Sequence, residues 1–112
     1  MKKIKLMTLL LALVSSISIS AREFNCNIKM NGEEVHNTSF KVSAGESIKF
    51  ADSPSLKFYL KSMKDDKFEL QAYDVEKASR TYAIGKVRES GDILNYTLWT
   101  RSALIESECL LK

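Results

Sequence analysis

The chain has 112 residues, with seventeen basic and fourteen acidic side chains, two cysteines and one histidine. One histidine and two distant cysteines are too few for a zinc site. The formal net charge of +3 does not indicate a nucleic-acid or anionic-membrane partner, because lysines and acidic residues alternate along the chain, as in residues 64–67 and 74–77.

Residues 1–21 have the three-part layout of a secretory signal peptide. Three lysines precede an apolar run from Leu6 to Val14, and small or polar residues follow as far as Ala21. The run is too short to cross a membrane as a helix, which takes about 20 residues. We predict cleavage after residue 20 or 21 and export to the periplasm or the exterior of a bacterial cell, with no integral membrane segment left after cleavage.

Residues 22–112 are then expected to form one domain. Three of the basic residues and none of the acidic ones lie in the signal, so this domain carries fourteen of each and a net charge near zero. A domain of 91 residues buries a modest core and benefits from a covalent link. Cys26 and Cys109 lie near its two ends, and paired cysteines in a short exported chain predict a disulfide.

The first strands follow from strict alternation. Phe24, Cys26, Ile28 and Met30 share one face of a predicted strand. Asn-Gly at 31–32 is a strong hairpin signal, because both residues tolerate positive φ. A two-residue turn there pairs Ile28 with Val35. The alternation then slips before Phe40 and Val42, which predicts a bulge near residues 36–38.

The same alternation continues to the end of the chain. Turns are predicted at residues 44–45, 52–55, 65–66, 74–78 and 90–92, and the fourth has room for a helical turn. The inward positions between the turns are Ile48, Phe50, Leu56, Phe58, Leu60, Phe68, Leu70 and Ala72. Beyond them, Tyr82 and Ile84 lead past Gly85 to Val87, which predicts a second bulge. About eight short strands indicate an all-β antiparallel sandwich or small barrel, and the pattern does not choose between the two.

The last hairpin raises the question of where Trp99 points. A two-residue turn at Arg101-Ser102 pairs Leu94 with Cys109, whose side chain must reach the core. Trp99 then pairs with Leu104 on the opposite, outer face, because side chains alternate along a strand. Neither residue of this turn favours positive φ, so a longer loop that re-aims Trp99 is the alternative. An outward Trp99 beside Arg101 has the composition of an interface hot spot, or simply covers the sheet.

Catalytic chemistry is not indicated. A serine or cysteine hydrolase needs a nucleophile, a base within reach and an orienting group. His36 is the single histidine and sits in the predicted bulge, while both cysteines are expected to be oxidised. We predict that the protein is not an enzyme and holds no cofactor and no metal.

Two short elements resemble the periplasmic inhibitors of C-type lysozyme, which are small exported β-barrels with a cysteine near each end. The elements are Ser79-Arg80-Thr81-Tyr82 and Trp99-Thr100-Arg101-Ser102-Ala103-Leu104. The first lacks the family's glycine, and Ser102 stands where the second would have one. The resemblance implies that Ser79 and Arg101 engage the acidic lysozyme cleft.

Two classes of function follow. The first is an exported, non-enzymatic binding module, such as an inhibitor of a secreted enzyme, whose partner is a protein. Its candidate binding residues are Ser79, Arg80, Tyr82, Trp99, Arg101 and Leu104. The second is a structural or accessory envelope protein that self-associates through a strand edge or through Ile93 and Leu110. The chain is accordingly expected to be a monomer or a weak homo-oligomer.

Overall fold

The computed structural model describes residues 21–112, and their regular structure is entirely β-strand. The strands are β1 (Arg22–Met30), β2 (Glu33–Val42), β3 (Ser47–Asp52), β4 (Leu56–Ser62), β5 (Lys67–Asp74), β6 (Ser79–Lys86), β7 (Ile93–Trp99) and β8 (Leu104–Leu111). Sheet A has the order β2-β1-β8-β7 and sheet B the order β3-β4-β5-β6, with every pair antiparallel. The predicted signal peptide falls, apart from Ala21, outside the described residues and stays a prediction.

The two sheets are not closed into one another, so the fold is a sandwich and not a barrel. The chain passes between the sheets twice, after β2 and after β6. Within residues 21–112, the structure contains no helix that is long and apolar enough to cross a membrane.

The core lies between the inner faces of the sheets. Alternation places an apolar set inward on seven of the eight strands, as predicted, and β6 is the exception because its Tyr82 and Ile84 face outward. The buried apolar residues are Phe24, Cys26, Ile28, Val42, Phe50, Phe58, Leu60, Phe68, Leu70, Ala72, Val87, Leu94, Tyr96, Ile105, Cys109 and Leu111. The rings of Phe24 on β1 and Phe68 on β5 meet edge to face with their centroids 4.8 Å apart. This contact links the centre of sheet A to the centre of sheet B.

The predicted disulfide is confirmed. Cys26 and Cys109 are register partners on β1 and β8, the two central strands of sheet A, and the bond between them is fully buried. The residues are 83 positions apart in sequence. A single bond therefore closes most of the domain into one covalent loop.

The β1–β2 hairpin confirms the turn and corrects the pairing that follows it. Asn31 and Gly32 have φ values of 53° and 84°, as a two-residue turn of this type requires. Ile28 nevertheless pairs with His36, and the predicted pairing of Ile28 with Val35 is wrong. The extra residue of the bulge is Val35, one position before the predicted bulge at residues 36–38. Val35 is apolar yet 54% exposed, which removes it from the inward set.

The predicted second bulge at Gly85 is wrong. The pairing of β5 with β6 runs without a register shift, and Tyr82 and Ile84 point outward from sheet B. A Cβ atom at Gly85 would lie 2.8 Å from Cδ1 of the buried Leu94. The glycine is therefore there to let β6 approach β7 closely, and not to kink the strand.

The connection between β5 and β6 is also simpler than predicted. Residues 75–78 form a turn and not a turn of helix. The Asp74 carboxylate accepts hydrogen bonds from the backbone N–H groups of Glu76 and Lys77, at 3.1 and 3.2 Å. Asp side chains commonly stabilise such turns by bonding to the backbone two or three residues ahead. The turn leads directly into Ser79, the first residue of β6.

The outer faces of the two sheets differ in charge, although the charges alternate along the chain. The outer face of sheet B, named here the basic face, carries Lys49, Lys57, Lys61, Lys67, Arg80 and Lys86. Asp52 and Glu69 are the acidic residues paired among them. The outer face of sheet A carries Glu23, Glu34, Glu106 and Glu108 with Lys29 and Lys41. Basic and acidic residues that are mixed along the sequence are therefore separated by strand alternation onto different outer faces of the fold.

Replacing both cysteines (Cys26→Ala together with Cys109→Ala) is expected to lower the free energy of unfolding by about 4–5 kcal/mol, because the unfolded chain is no longer closed into a long loop. Guanidinium unfolding of the oxidised protein and the double variant measures this difference. Reduced wild-type protein is the control and should behave as the double variant does. A loss below about 1 kcal/mol would show that the bond contributes little.

Candidate binding site

The β7–β8 hairpin has the register that the sequence predicts. Leu94 pairs with Cys109 on the inner face, and Trp99 pairs with Leu104 on the outer face. Trp99 is 77% exposed, whereas Leu104 beside it is half-buried. The prediction of an outward Trp99 is therefore confirmed, and a large aromatic side chain is presented to solvent at the tip of the sandwich.

The hairpin turn is stabilised by Thr100 instead of by positive φ. Arg101 and Ser102 are not among the residues with positive φ. The Thr100 side-chain oxygen accepts a hydrogen bond from the Ala103 N–H at 2.9 Å and donates one to the Ala103 carbonyl at 3.0 Å. The Thr100 N–H donates to the same carbonyl at 2.9 Å. These bonds hold the tip in a two-residue turn and fix the base of Trp99.

A second turn supports the hairpin tip from the side. The Asn31 N–H donates to the Leu104 carbonyl at 2.8 Å, and the Leu104 N–H donates to the Asn31 side-chain oxygen at 2.9 Å. The β1–β2 turn is thereby attached to the start of β8. Trp99 consequently projects from a braced end of sheet A and not from a free loop.

Ser79 and Trp99 line the same cleft, although they are 20 positions apart in sequence. The cleft has a volume of about 130 Å³ and lies between the start of β6 and the end of β7. Its lining residues are Leu56, Ala72, Asp74, Lys77, Ser79, Thr81, Leu98, Trp99 and Thr100. Small-molecule sites usually measure about 300–1,000 Å³, so this cleft suits one protruding side chain of a partner.

One wall of the cleft is held by a hydrogen bond between two hydroxyl groups, one from each sheet. Thr81 on β6 forms a hydrogen bond with the hydroxyl group of Tyr96 on β7. Tyr96 is buried, and Ser107 opposite it is also buried and donates to the Asn27 carbonyl at 3.0 Å. The hydroxyl groups of Thr81, Tyr96 and Ser107 therefore each have a partner, as burial requires.

The remaining predicted residues do not all meet at the cleft. Arg80 and Tyr82 point the other way, onto the basic face, where the Arg80 guanidinium lies 5.2 Å from the centre of the Tyr73 ring. Arg101 is exposed in the hairpin turn next to Trp99. The candidate site is therefore Ser79, Trp99, Arg101 and Leu104.

Thr81 and Asp74 also line the cleft, although neither was predicted as a binding residue. Alternation on β6 carried the relevant signal, because Ser79 and Thr81 share the face opposite to Arg80 and Tyr82. Reading the four residues 79–82 as one contiguous element concealed that split. The sequence pattern at Asp74 is less informative, because an acidic residue at the start of a turn is common and does not indicate a binding site.

His36 has a structural partner. Its Nε2 atom lies 2.8 Å from the Phe50 carbonyl oxygen, so this nitrogen is engaged with the backbone. No group of three or more His, Cys, Asp or Glu side chains within residues 21–112 is arranged to hold a metal ion.

No family model, curated protein or solved structure matches the chain. The resemblance to inhibitors of C-type lysozyme accordingly remains a hypothesis, carried by residues 79–82 and 99–104. The arrangement around Trp99 must be interpreted from its own geometry.

Thr100→Val is expected to lower the free energy of unfolding by about 1 kcal/mol, because it keeps the shape of the side chain and removes both of its hydrogen bonds. Thr97→Val is the matched control, since Thr97 lies outward on β7, which leads into this turn, and makes no side-chain hydrogen bond within residues 21–112. Urea unfolding of both variants measures the difference. Equal costs for the two variants would mean that Thr100 does not hold the turn.

Proposed function

We propose that this protein is an exported, non-enzymatic binding module that uses the hairpin tip around Trp99 to bind a protein partner, and that it inhibits a secreted enzyme such as a C-type lysozyme. The observation that carries the proposal is a tryptophan 77% exposed on a braced hairpin. Tryptophan and arginine are enriched among the residues that dominate binding energy at protein interfaces. Trp99 and Arg101 supply both at one tip.

The shape of the tip supports a protein partner. Trp99 stands beside a cleft of about 130 Å³ that offers room for one side chain and too little for a typical small ligand. The turn bonds of Thr100 and Asn31 hold this surface in place before binding. A preorganised surface loses less conformational entropy on association than a flexible loop does.

The lysozyme hypothesis rests on the two resembling elements. Ser79 from the first element and Trp99 from the second line one cleft, and Arg101 is exposed in the adjacent turn. An arginine at the tip suits the acidic cleft that this hypothesis names as the target. Arg80 and Tyr82 lie on the other side of β6 and are left out of the proposed contact.

Export is supported by two features. The disulfide is of the kind that persists in oxidising compartments, such as the periplasm or the cell exterior. Residues 1–21 have the composition of a signal peptide. Both features suit a small inhibitor or accessory module of the envelope.

Trp99→Ala is expected to weaken binding to a C-type lysozyme about 30-fold while changing stability by less than about 0.5 kcal/mol, because Trp99 contributes contact area and little packing. Ile93→Ala is the matched control, since Ile93 is 51% exposed on the same face at the other end of β7. Binding to immobilised oxidised protein and inhibition of lysozyme turnover measure the effect.

The outcomes distinguish the general proposal of a binding module from the specific hypothesis that lysozyme is the partner. Trp99-dependent capture of a different envelope protein, with no effect on lysozyme, would keep the binding module and reject the lysozyme hypothesis. Loss of lysozyme inhibition in Ser79→Ala and Arg101→Ala, with Arg80→Ala unaffected, would support the contact as drawn. Unchanged binding by a folded Trp99→Ala variant would reject the hairpin tip as the site.

A second candidate function is self-association as an accessory envelope component. The observation that favours it is the cross-strand pair of Ile93 and Leu110, which are 51% and 37% exposed on the outer face of sheet A. Sedimentation across micromolar concentrations is the test, and the binding-module proposal expects a monomer throughout. A concentration-dependent dimer that Ile93→Asn abolishes would favour self-association instead.

A further inference from the structure

A larger cavity opens at the same end of the sandwich, on the far side of Leu56 from the Trp99 cleft. This end cavity has a volume of about 400 Å³ and lies between the β1–β2 hairpin and the β3–β4 loop. Its floor is formed by the buried side chains of Ile28, Phe58 and Ile105. Its volume falls within the usual range of about 300–1,000 Å³ for small-molecule sites.

Two bulges on facing edge strands open the end cavity. One places the extra residue Val35 in β2, and the other shifts the register of β3 at Phe50. Val35 and His36 are consecutive, yet both line the cavity, and so do Ala51 and Asp52. Consecutive side chains of a regular strand point to opposite faces, so the bulge in β2 is what turns both Val35 and His36 toward the cavity. In β3 the register shift at Phe50 places Ala51, the partner of the inward Phe58, on the inner face, and Asp52 reaches the rim as the last residue of the strand.

The bulged edges are joined directly. His36 on β2 reaches the backbone carbonyl of Phe50 on β3, with 2.8 Å between its Nε2 atom and the oxygen. The rings of Phe40 and Phe50 stack behind this contact with their centroids 5.6 Å apart. The opening is therefore held by a hydrogen bond and packed aromatic rings, as expected of a preformed site.

The lining is apolar inside and charged at the mouth. Met30 and Val35 are apolar rim residues, 38% and 54% exposed, while Ser53 and Ser55 contribute hydroxyl groups. Asp52, also at the rim, forms ion pairs with Lys57 and with Lys49, the second at 2.9 Å. Lys49 and Lys57 do not line the cavity themselves, but their ammonium groups lie beside its rim at Asp52. Two ammonium groups against one carboxylate leave an excess positive charge beside the mouth, continuous with the basic face.

The ionisation of the Asp52 carboxyl group bears on the charge beside the mouth. Hydrogen bonds from Lys57 and Lys49 lower the pKa of its carboxyl group to about 2. The carboxylate therefore stays charged and held by both lysines at neutral pH. One negative charge does not balance the two lysines, so an incoming anion is favoured over an incoming cation.

We propose that the end cavity binds one acyl chain of a monomeric fatty acid, with the chain against Ile28, Phe58 and Ile105 and the carboxylate at Lys49 and Lys57. The combination of an apolar floor, an apolar rim and two lysines beside the mouth matches an anionic single-chain amphiphile. This function is separate from the protein-binding tip, because it uses neither Trp99 nor Ser79.

Calorimetric titration of the oxidised protein with decanoate, decan-1-ol and decylammonium tests the proposal without any variant. We expect saturable one-to-one binding of decanoate, about fivefold tighter than decan-1-ol, with decylammonium the weakest, because exposed ion pairs contribute at most about 1 kcal/mol. Absence of saturable decanoate binding, or equal affinity for decanoate and decylammonium, would overturn the proposal.

Variants then locate the ligand. Ser55→Trp should fill the mouth and abolish binding, and Ala51→Phe does the same from β3 if the first variant does not fold. Lys49→Met and Lys57→Met should weaken decanoate binding and leave decan-1-ol unchanged. Lys61→Met is the matched control, since Lys61 lies on the same basic face but forms no ion pair with the rim residue Asp52 within residues 21–112. An equal effect of all three lysine variants would place the anion elsewhere on the basic face.

Discussion

The pairing of β1 with β8, covalently fixed by the bond from Cys26 to Cys109, is the constraint on which the rest of the structure depends. It brings the first and last strands together in the middle of sheet A, so the two outer hairpins become one sheet. The four strands of sheet B form the long excursion between them. Because Cys109 must face inward, alternation also dictates that Leu104 and its partner Trp99 face outward.

Local turn chemistry and alternation were enough to predict most of this architecture. The Asn-Gly turn, the inward apolar sets and the register of the last hairpin are properties of neighbouring residues. The bulges are different, because the position of an extra residue depends on the partner strand. A slip in alternation before Phe40 located the first bulge to within one position of Val35, whereas Phe50 continues the alternation of Ile48 and nothing local marks it. Gly85 permits either a bulge or a close approach, and only the position of Leu94 decides between them.

Only the part of the candidate site that depends on local register could be predicted from the sequence. The outward Trp99 followed from register, but its proximity to Ser79 depends on how the two sheets meet. Arg80 and Tyr82 were grouped with Ser79 by sequence position, whereas strand geometry sends neighbours to opposite faces. Charge behaves likewise, since lysines that alternate with acidic residues along the chain collect on one outer face in the fold.

The two sites share one end of the sandwich and one side chain, Leu56, which lines both the Trp99 cleft and the end cavity. Any coupling between an acyl ligand and a protein partner would have to pass through contacts of this kind, and it would act equally in both directions. The sheets on either side are braced by the disulfide and by the bond from His36 to Phe50. A single half-buried leucine between braced walls offers few alternative arrangements, so the two sites are expected to bind nearly independently.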